Sequence, residues 1–227
     1  MKQELINDII QWDTRSWSRA LDYWEKNVDW RKINTCLELG GREGGLSMWL
    51  AMKNKSVVCS DLIDVKVTAE SLHQKYGVTK YITYEDIDAT EIPYENHFDL
   101  IVFKSILGGI GRNDSLEIQT QVFEQMHKAL KPGGKLLFAE NLIASKLHQH
   151  LRKRFNKWGS YWKYFTIDEM KEFLIIFSES QLETTGVLGT FGRNEKQRNF
   201  LSAIDQHFLN KIFPKSWNYI SYGIATK

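Results

Sequence analysis

The chain has 227 residues, 42% of them hydrophobic, with 30 basic against 28 acidic side chains and a formal charge of +2. This length suffices for one large domain, or a domain with appended helices, and so mild a charge does not by itself imply nucleic acid. No apolar run nears the roughly 18 residues needed to span a bilayer, and Cys36 and Cys59, each inside an apolar run, read as buried thiols rather than a disulfide or a metal pair. Met1-Lys2-Gln3-Glu4 leads into an amphipathic pattern and not a secretory signal, so a reducing, cytoplasmic setting is expected.

In chain order, residues 4–30 read as helical, with Leu5, Ile9, Trp12, Leu21 and Trp24 at apolar positions. Strand-like runs follow at 33–39, 56–60, 80–85, 98–104 and 135–140, separated by helical stretches at 46–53, 65–76 and 116–130. That alternation predicts parallel βαβ units with right-handed crossovers. A helix over 166–177 and two last strands, around 183–190 and 217–226, complete the pattern. The expected fold is α/β: a doubly wound, mostly parallel seven-stranded sheet with helices on both faces. Residues 1–32 form an N-terminal helical cap and 33–227 a single Rossmann-like domain. Ligands of such sheets bind at the carboxyl ends of the strands.

The most informative run is Leu37-Glu38-Leu39-Gly40-Gly41-Arg42-Glu43-Gly44-Gly45-Leu46-Ser47, in which an apolar strand ends in an acid and a glycine cluster before a helix. It reads as a nucleotide-type cofactor loop, because glycine admits positive φ and close approach, and the next helix points free amides at the ligand. Further pieces stand in order along the chain. Asp61 ends the second strand 23 positions after Glu38, followed by Asp88-Ala89, by Phe98-Asp99-Leu100-Ile101-Val102, and by the turn Lys131-Pro132-Gly133-Gly134.

In this order and spacing the chain resembles the class I S-adenosylmethionine-dependent methyltransferases over about residues 33–227. The resemblance implies S-adenosyl-L-methionine as cofactor. It assigns Glu38, Gly40, Gly41 and Gly44 to the loop around the methionine part, Asp61 with Leu62 to the ribose, and Asp88 with Ala89 to the adenine. Lys104, after the fourth strand, and Trp17, on the helix that precedes the sheet, complete the expected cofactor contacts. Arg42 stands where the family often has a second glycine. It either points to solvent or pairs with an acid, or it reaches the cofactor carboxylate or a substrate anion. The same substitution argues against a dehydrogenase, whose Gly-x-Gly-x-x-Gly loop uses that glycine to admit a pyrophosphate.

Methyl transfer from a sulfonium depends on holding nucleophile, methyl and sulfur in line, so no catalytic triad is expected. Where a base assists, His148 and Glu140 are the candidates, the first because histidine titrates near neutrality and the second because it ends a strand. The segment 145–165 interleaves basic and aromatic residues and reads either as a substrate lid or as a helix with a solvated basic face. Arg152, Arg154 and Trp158, with Arg15 from the N-terminal helix, are the expected substrate contacts. No Asn/Asp-Pro-Pro-aromatic motif follows the fourth strand, which disfavours amino methylation of bases, and no acidic cluster for magnesium stands there, so no metal is implied.

These features point to O-methylation of a small anionic acceptor, a small molecule or glycan such as a sugar, sugar acid or glycolipid headgroup. An RNA methyltransferase, using the basic aromatic segment for phosphates and unpaired bases, and a non-catalytic S-adenosylmethionine-binding regulator are the alternatives. The sequence leaves the oligomeric state open.

Overall fold

The computed structural model describes residues 2–111, 116–155 and 162–227, with residues 153–155 described by backbone alone. Seven strands, β1 (Thr35–Leu39), β2 (Ser56–Asp61), β3 (Ile82–Asp86), β4 (Phe98–Lys104), β5 (Leu130–Asn141), β6 (Glu179–Thr185) and β7 (Ile220–Thr226), form one sheet in the order β3-β2-β1-β4-β5-β7-β6. β1 to β5 are mutually parallel, and β7 runs antiparallel between β5 and β6. The order reverses beside β1, and that switch point opens a crevice at the carboxyl ends of β1 and β4.

Helices cover both faces. On one, α1 (Gln3–Ile10), α2 (Thr14–Asn27), α3 (Gly45–Ala51) and α4 (Val65–Lys75) pack Ile9, Trp17, Trp24, Trp49 and Ala69 against Cys36, Val57 and Val102. On the other, α5 (Glu117–Ala129) and α7 (Ile167–Phe173) pack Phe123, Met126 and Phe173 against Leu37, Ile101 and Phe138. Trp24 is fully buried and its indole donates to the Gly223 carbonyl at 2.9 Å, which ties α2 to the sheet. Truncating such a residue to alanine costs about 3–5 kcal/mol. Among the described residues no helix is long and apolar enough to cross a membrane.

Three elements differ from the sequence expectation, each for a tertiary reason. The single helix expected over residues 4–30 is broken at Gln11 and Asp13, which take φ of 70° and 46°. The amides of Asp13 and Thr14 bond the Glu195 carboxylate, and the Asp13 carboxyl is drawn inward to the Tyr219 hydroxyl, so partners distant in sequence outweigh helix propensity. The strand expected at 183–190 lies at Glu179–Thr185, because Gly186 turns the chain at φ 85° and the next three amides bond Asp205 instead of a ladder. Between β6 and β7 stands an unanticipated helical insertion, α8 (Glu195–Ile204), a π-helical turn (Asp205–Leu209) and α9 (Asn210–Ile212). Its start is legible in hindsight, since Asn194 caps α8 by accepting the Gln197 amide. The helix at α6 (Lys146–Phe155) follows β5, and α7 begins with the capping box of Thr166 and Glu169.

Candidate functional site

The crevice is built from the end of β1 outward. Glu38 is 3% exposed, and its Oε2 accepts the Ser47 amide at 2.8 Å, so the acid secures the first turn of α3. Burial pushes its pKa up to about 7. Gly40 and Gly44 have φ of 66° and 69°, and between them the Gly41 amide donates to the Ser60 carbonyl at 2.7 Å. A side chain at Gly44 meets the His73 ring and Ala69, so α4 leaves room for glycine alone. His73 itself is fully buried, with Nε2 on the Gly44 carbonyl and Nδ1 on the Tyr84 hydroxyl, each at 2.8 Å. Nothing in the sequence signals this support, because it depends on where α4 crosses the loop.

Asp61 ends β2 beside the loop. Its Oδ2 accepts the Arg42 amide at 2.8 Å and its Oδ1 the Leu62 amide at 2.7 Å. Each carboxylate oxygen keeps a second lone pair on a half-buried side chain, which suits a pair of ribose hydroxyls. Leu62 stands 59% exposed at the rim. Asp88 accepts the amide and hydroxyl of Thr90 through Oδ1, fixing the turn after β3, and Ala89 packs on the core below it.

The other end of the crevice is cationic. Lys104 ends β4 with its ammonium 5.2 Å from the Trp17 ring centroid. Part of the side chain meets solvent, yet dense surroundings and the nearby Arg42 charge hold its pKa down to about 8, against the opposing pull of Glu38, Glu140 and Asp13. Trp17 is 1% exposed and its indole nitrogen has no partner. The crevice therefore brings together an acid with free lone pairs, an exposed leucine, a glycine turn, two cations and a buried indole N–H without a partner, a donor and acceptor set that fits S-adenosylmethionine.

Other expected residues fall elsewhere. Arg15 lies on the side of α2 turned from Trp17, where its Nε donates to Gln206 at 3.3 Å and lines a surface cleft of about 210 Å³ with Gln3, Arg19 and Asp22. A second depression is lined by Leu116, Glu117, Thr120, Gln121 and Glu124 at the start of α5. Neither is lined by the glycine loop or the Asp61 carboxylate. Glu140 is not a free base: its Oε2 accepts the Leu107 amide and its Oε1 the Asn141 amide, both at 2.8 Å, so it braces the loop after β4. His148 is 3% exposed, stacked on Tyr219 at 5.4 Å and 20°, and burial pushes its pKa down to about 3. It is a neutral ring at physiological pH, and its lowered proton affinity makes it a weak base. Arg152 is 5% exposed, its guanidinium 3.7 Å from the Tyr164 ring centroid. Trp158 and the side chain of Arg154 lie outside the described residues.

Behind the crevice a buried polar network joins α2 to the insertion. The Tyr219 hydroxyl meets Asp13 Oδ2 at 2.6 Å and Ser16 Oγ at 2.8 Å, and Ser16 and Ser202 share a hydrogen bond of 2.6 Å. Burial raises the Asp13 pKa to about 7.

A seven-stranded sheet of this order, with a glycine turn after β1 and an acid ending β2, defines a class I S-adenosylmethionine-dependent methyltransferase. The family model described as a methyltransferase domain matches residues 32–198, and the chain belongs to that family. Its methyl donor is S-adenosyl-L-methionine. Among curated relatives, the ubiquinone/menaquinone biosynthesis C-methyltransferase UbiE of Shewanella baltica is 29% identical over 159 residues. That match covers 67% of this chain and 59% of the relative, so the chain spans about three fifths of the relative's length. The PH0226 protein of Pyrococcus horikoshii superposes with a TM-score of 0.66 at 15% identity, covering 96% of this chain and 93% of that one. Phosphoethanolamine N-methyltransferase 2 of Haemonchus contortus, in complex with S-adenosyl-L-methionine, gives 0.65 at 17% identity over 93% of this chain and 52% of its own. At these identities the structural likeness shows the fold.

Proposed function

We propose that the chain methylates an oxygen of a small anionic acceptor, such as a sugar acid or the headgroup of a glycolipid. The observation that carries this reading is the sign of the site's charge. Beside Lys104, set on Trp17, the site has a second cation, Arg152, buried against the Tyr164 ring, and neither is ion-paired among the described residues. Burial lifts Glu140 and Asp13 to pKa values of about 7, which reduces the negative charge they set against these cations.

In this reading Glu38, Gly40, Gly41 and Gly44 shape the loop around the methionine part, and Lys104 and Arg42 balance its carboxylate. Asp61 accepts from the ribose, with Leu62 at its edge, and Asp88 and Ala89 bound the adenine. Trp17 closes the crevice over the reacting end. The cofactor supplies an electrophilic methyl on a good leaving group, so the protein's task is alignment and exclusion of water. No strong general base is required of Glu140 or His148. An acceptor oxygen that is already ionised is the nucleophile that such a site serves best.

Methylation at carbon, as on a precursor of a quinone, is the second reading, favoured by the curated relatives' name of ubiquinone/menaquinone biosynthesis C-methyltransferase. Incubating the protein with S-adenosylmethionine and a panel of sugar acids, glycolipid headgroups and hydroxy-aromatic acids, followed by mass detection and NMR of the product, decides. A new methoxy or methyl ester signal supports the first reading, and a new ring-methyl signal the second. Salt-dependent RNA binding with methyl incorporation into RNA overturns both.

A further inference from the structure

His148 and Arg152 lie one helical turn apart on α6, so they share a face, and both are buried, at 3% and 5% exposure. Both ring nitrogens of His148 lack any hydrogen-bond partner although the ring is sealed between Tyr219 and Phe191, the latter at 4.6 Å. Buried polar atoms are nearly always paired, so an imidazole with two orphaned nitrogens is an anomaly that a missing partner explains. Arg152 is anomalous in the matching way. Nη1 and Nη2 donate to the Leu142 carbonyl at 3.2 and 3.1 Å, a neutral acceptor, and among the described residues the groups that favour its charged form are the phenols of Tyr164 and Tyr219. A buried guanidinium is ordinarily matched by an anion, because desolvating the charge is otherwise uncompensated.

We infer that His148 and Arg152 together form a recessed receptor for a carboxylate group carried by the methyl acceptor. Arg152 supplies the charge and the remaining donors of its fork, and His148 supplies a neutral ring N–H. Tyr164 and Tyr219 wall the site with flat surfaces. This inference rests on the proposed anionic acceptor and specifies how its charge is read.

Charge arithmetic selects a carboxylate over a phosphate. Arg152 contributes one positive charge, while His148 stays neutral because burial and the adjacent guanidinium hold its proton off. One positive charge balances a monoanion. A phosphate dianion leaves an unmatched charge in the interior, and Glu140, whose field reaches Tyr164, adds to its cost. The planar fork also matches the two oxygens of a carboxylate.

The test uses the full chain saturated with S-adenosylhomocysteine and labelled at histidine Cε1, with His148→Gln identifying the His148 NMR signal. The probes are three pairs chosen to differ in head group: glucuronate and benzoate, glucose 6-phosphate and phenyl phosphate, and the neutral glucose and benzyl alcohol. Expected are carboxylate binding at least tenfold tighter than the matched phosphate, a shift of the His148 signal on binding, and at least tenfold loss of affinity in both Arg152→Met and Arg152→Lys. The lysine variant keeps the charge and guards against misfolding of the methionine variant. Tighter phosphate binding through Arg152, or no carboxylate binding, overturns the carboxylate receptor and leaves the anionic-acceptor reading standing. Neutral probes binding as well as the anions overturn both.

Discussion

The Arg42 amide donates to Asp61 Oδ2 at 2.8 Å, so the acid that ends β2 holds the loop that follows β1. The Arg42 carbonyl is pinned from the other side by the Thr68 hydroxyl of α4 at 2.7 Å. Both anchors use the main chain, which leaves the guanidinium unconstrained near Lys104, whose proton affinity it lowers. Asp61 therefore holds the loop, and the proposed reading adds the ribose to that task.

Replacing Asp61 by alanine removes a charge-assisted acceptor worth about 1.5–3 kcal/mol. Affinity for S-adenosylmethionine falls by roughly 10- to 100-fold in calorimetry, and circular dichroism stays unchanged. Asp61→Asn retains the loop contact and loses less. Equal affinity in Asp61→Ala and wild type contradicts the ribose assignment.

Arg42 has φ of 48°, a left-handed conformation that costs a non-glycine residue about 1 kcal/mol. Arg42→Gly is expected to keep or slightly raise the melting temperature while weakening S-adenosylmethionine several-fold, because the charge near the carboxylate is gone. Arg42→Lys keeps most of the affinity. Unchanged binding in the glycine variant returns Arg42 to a solvent-facing role.

Lys104, with its pKa held near 8, carries far more free amine at pH 8 than an ordinary lysine. Brief acetylation at that pH followed by peptide mapping should find Lys104 modified first, and saturating S-adenosylmethionine should protect it. Reaction at the same rate as surface lysines, with no protection, contradicts its placement beside the cofactor.

His148 gives a pH signature of stability. Its folded pKa near 3 lies below the unfolded value of 6.5, so the unfolded chain binds more protons between these limits. The difference in stability between wild type and His148→Gln is constant above pH 6.5 and shrinks as pH falls, by about 2 kcal/mol at pH 5. Chemical denaturation at pH 7 and pH 5 measures it. Buried acids such as Glu38 contribute the opposite slope, their stabilisation fading as pH rises from about 4.5 to 7, and they cancel in the comparison. A difference independent of pH contradicts a buried neutral imidazole.

Much of this was legible in the sequence, and the boundary is physical. The strands from Thr35 to Asn141 and the glycine turn follow from local periodicity and conformational need, which neighbours in sequence encode. Asp61 and Lys104 end β2 and β4 as the sequence implies, because strand ends are positions in a known topology. Asp13, Tyr219 and His73 were not, since each acquires its role from a partner far along the chain, as with His73 reaching Gly44 and Tyr219 reaching Asp13. Glu140 and His148 drew attention as titratable groups near strand ends, but burial and main-chain amides make one a brace and the other a neutral ring.

The most direct test of the central claim is transfer of a deuterated methyl from S-adenosylmethionine to a panel of small acceptors, read by mass spectrometry with S-adenosylhomocysteine counted in parallel. The site predicts label on an oxygen of an anionic small molecule, one S-adenosylhomocysteine per methyl, and loss of both in the Asp61→Ala and Arg152→Met variants. Label appearing only on neutral acceptors or RNA, or transfer unaffected by these substitutions, contradicts it.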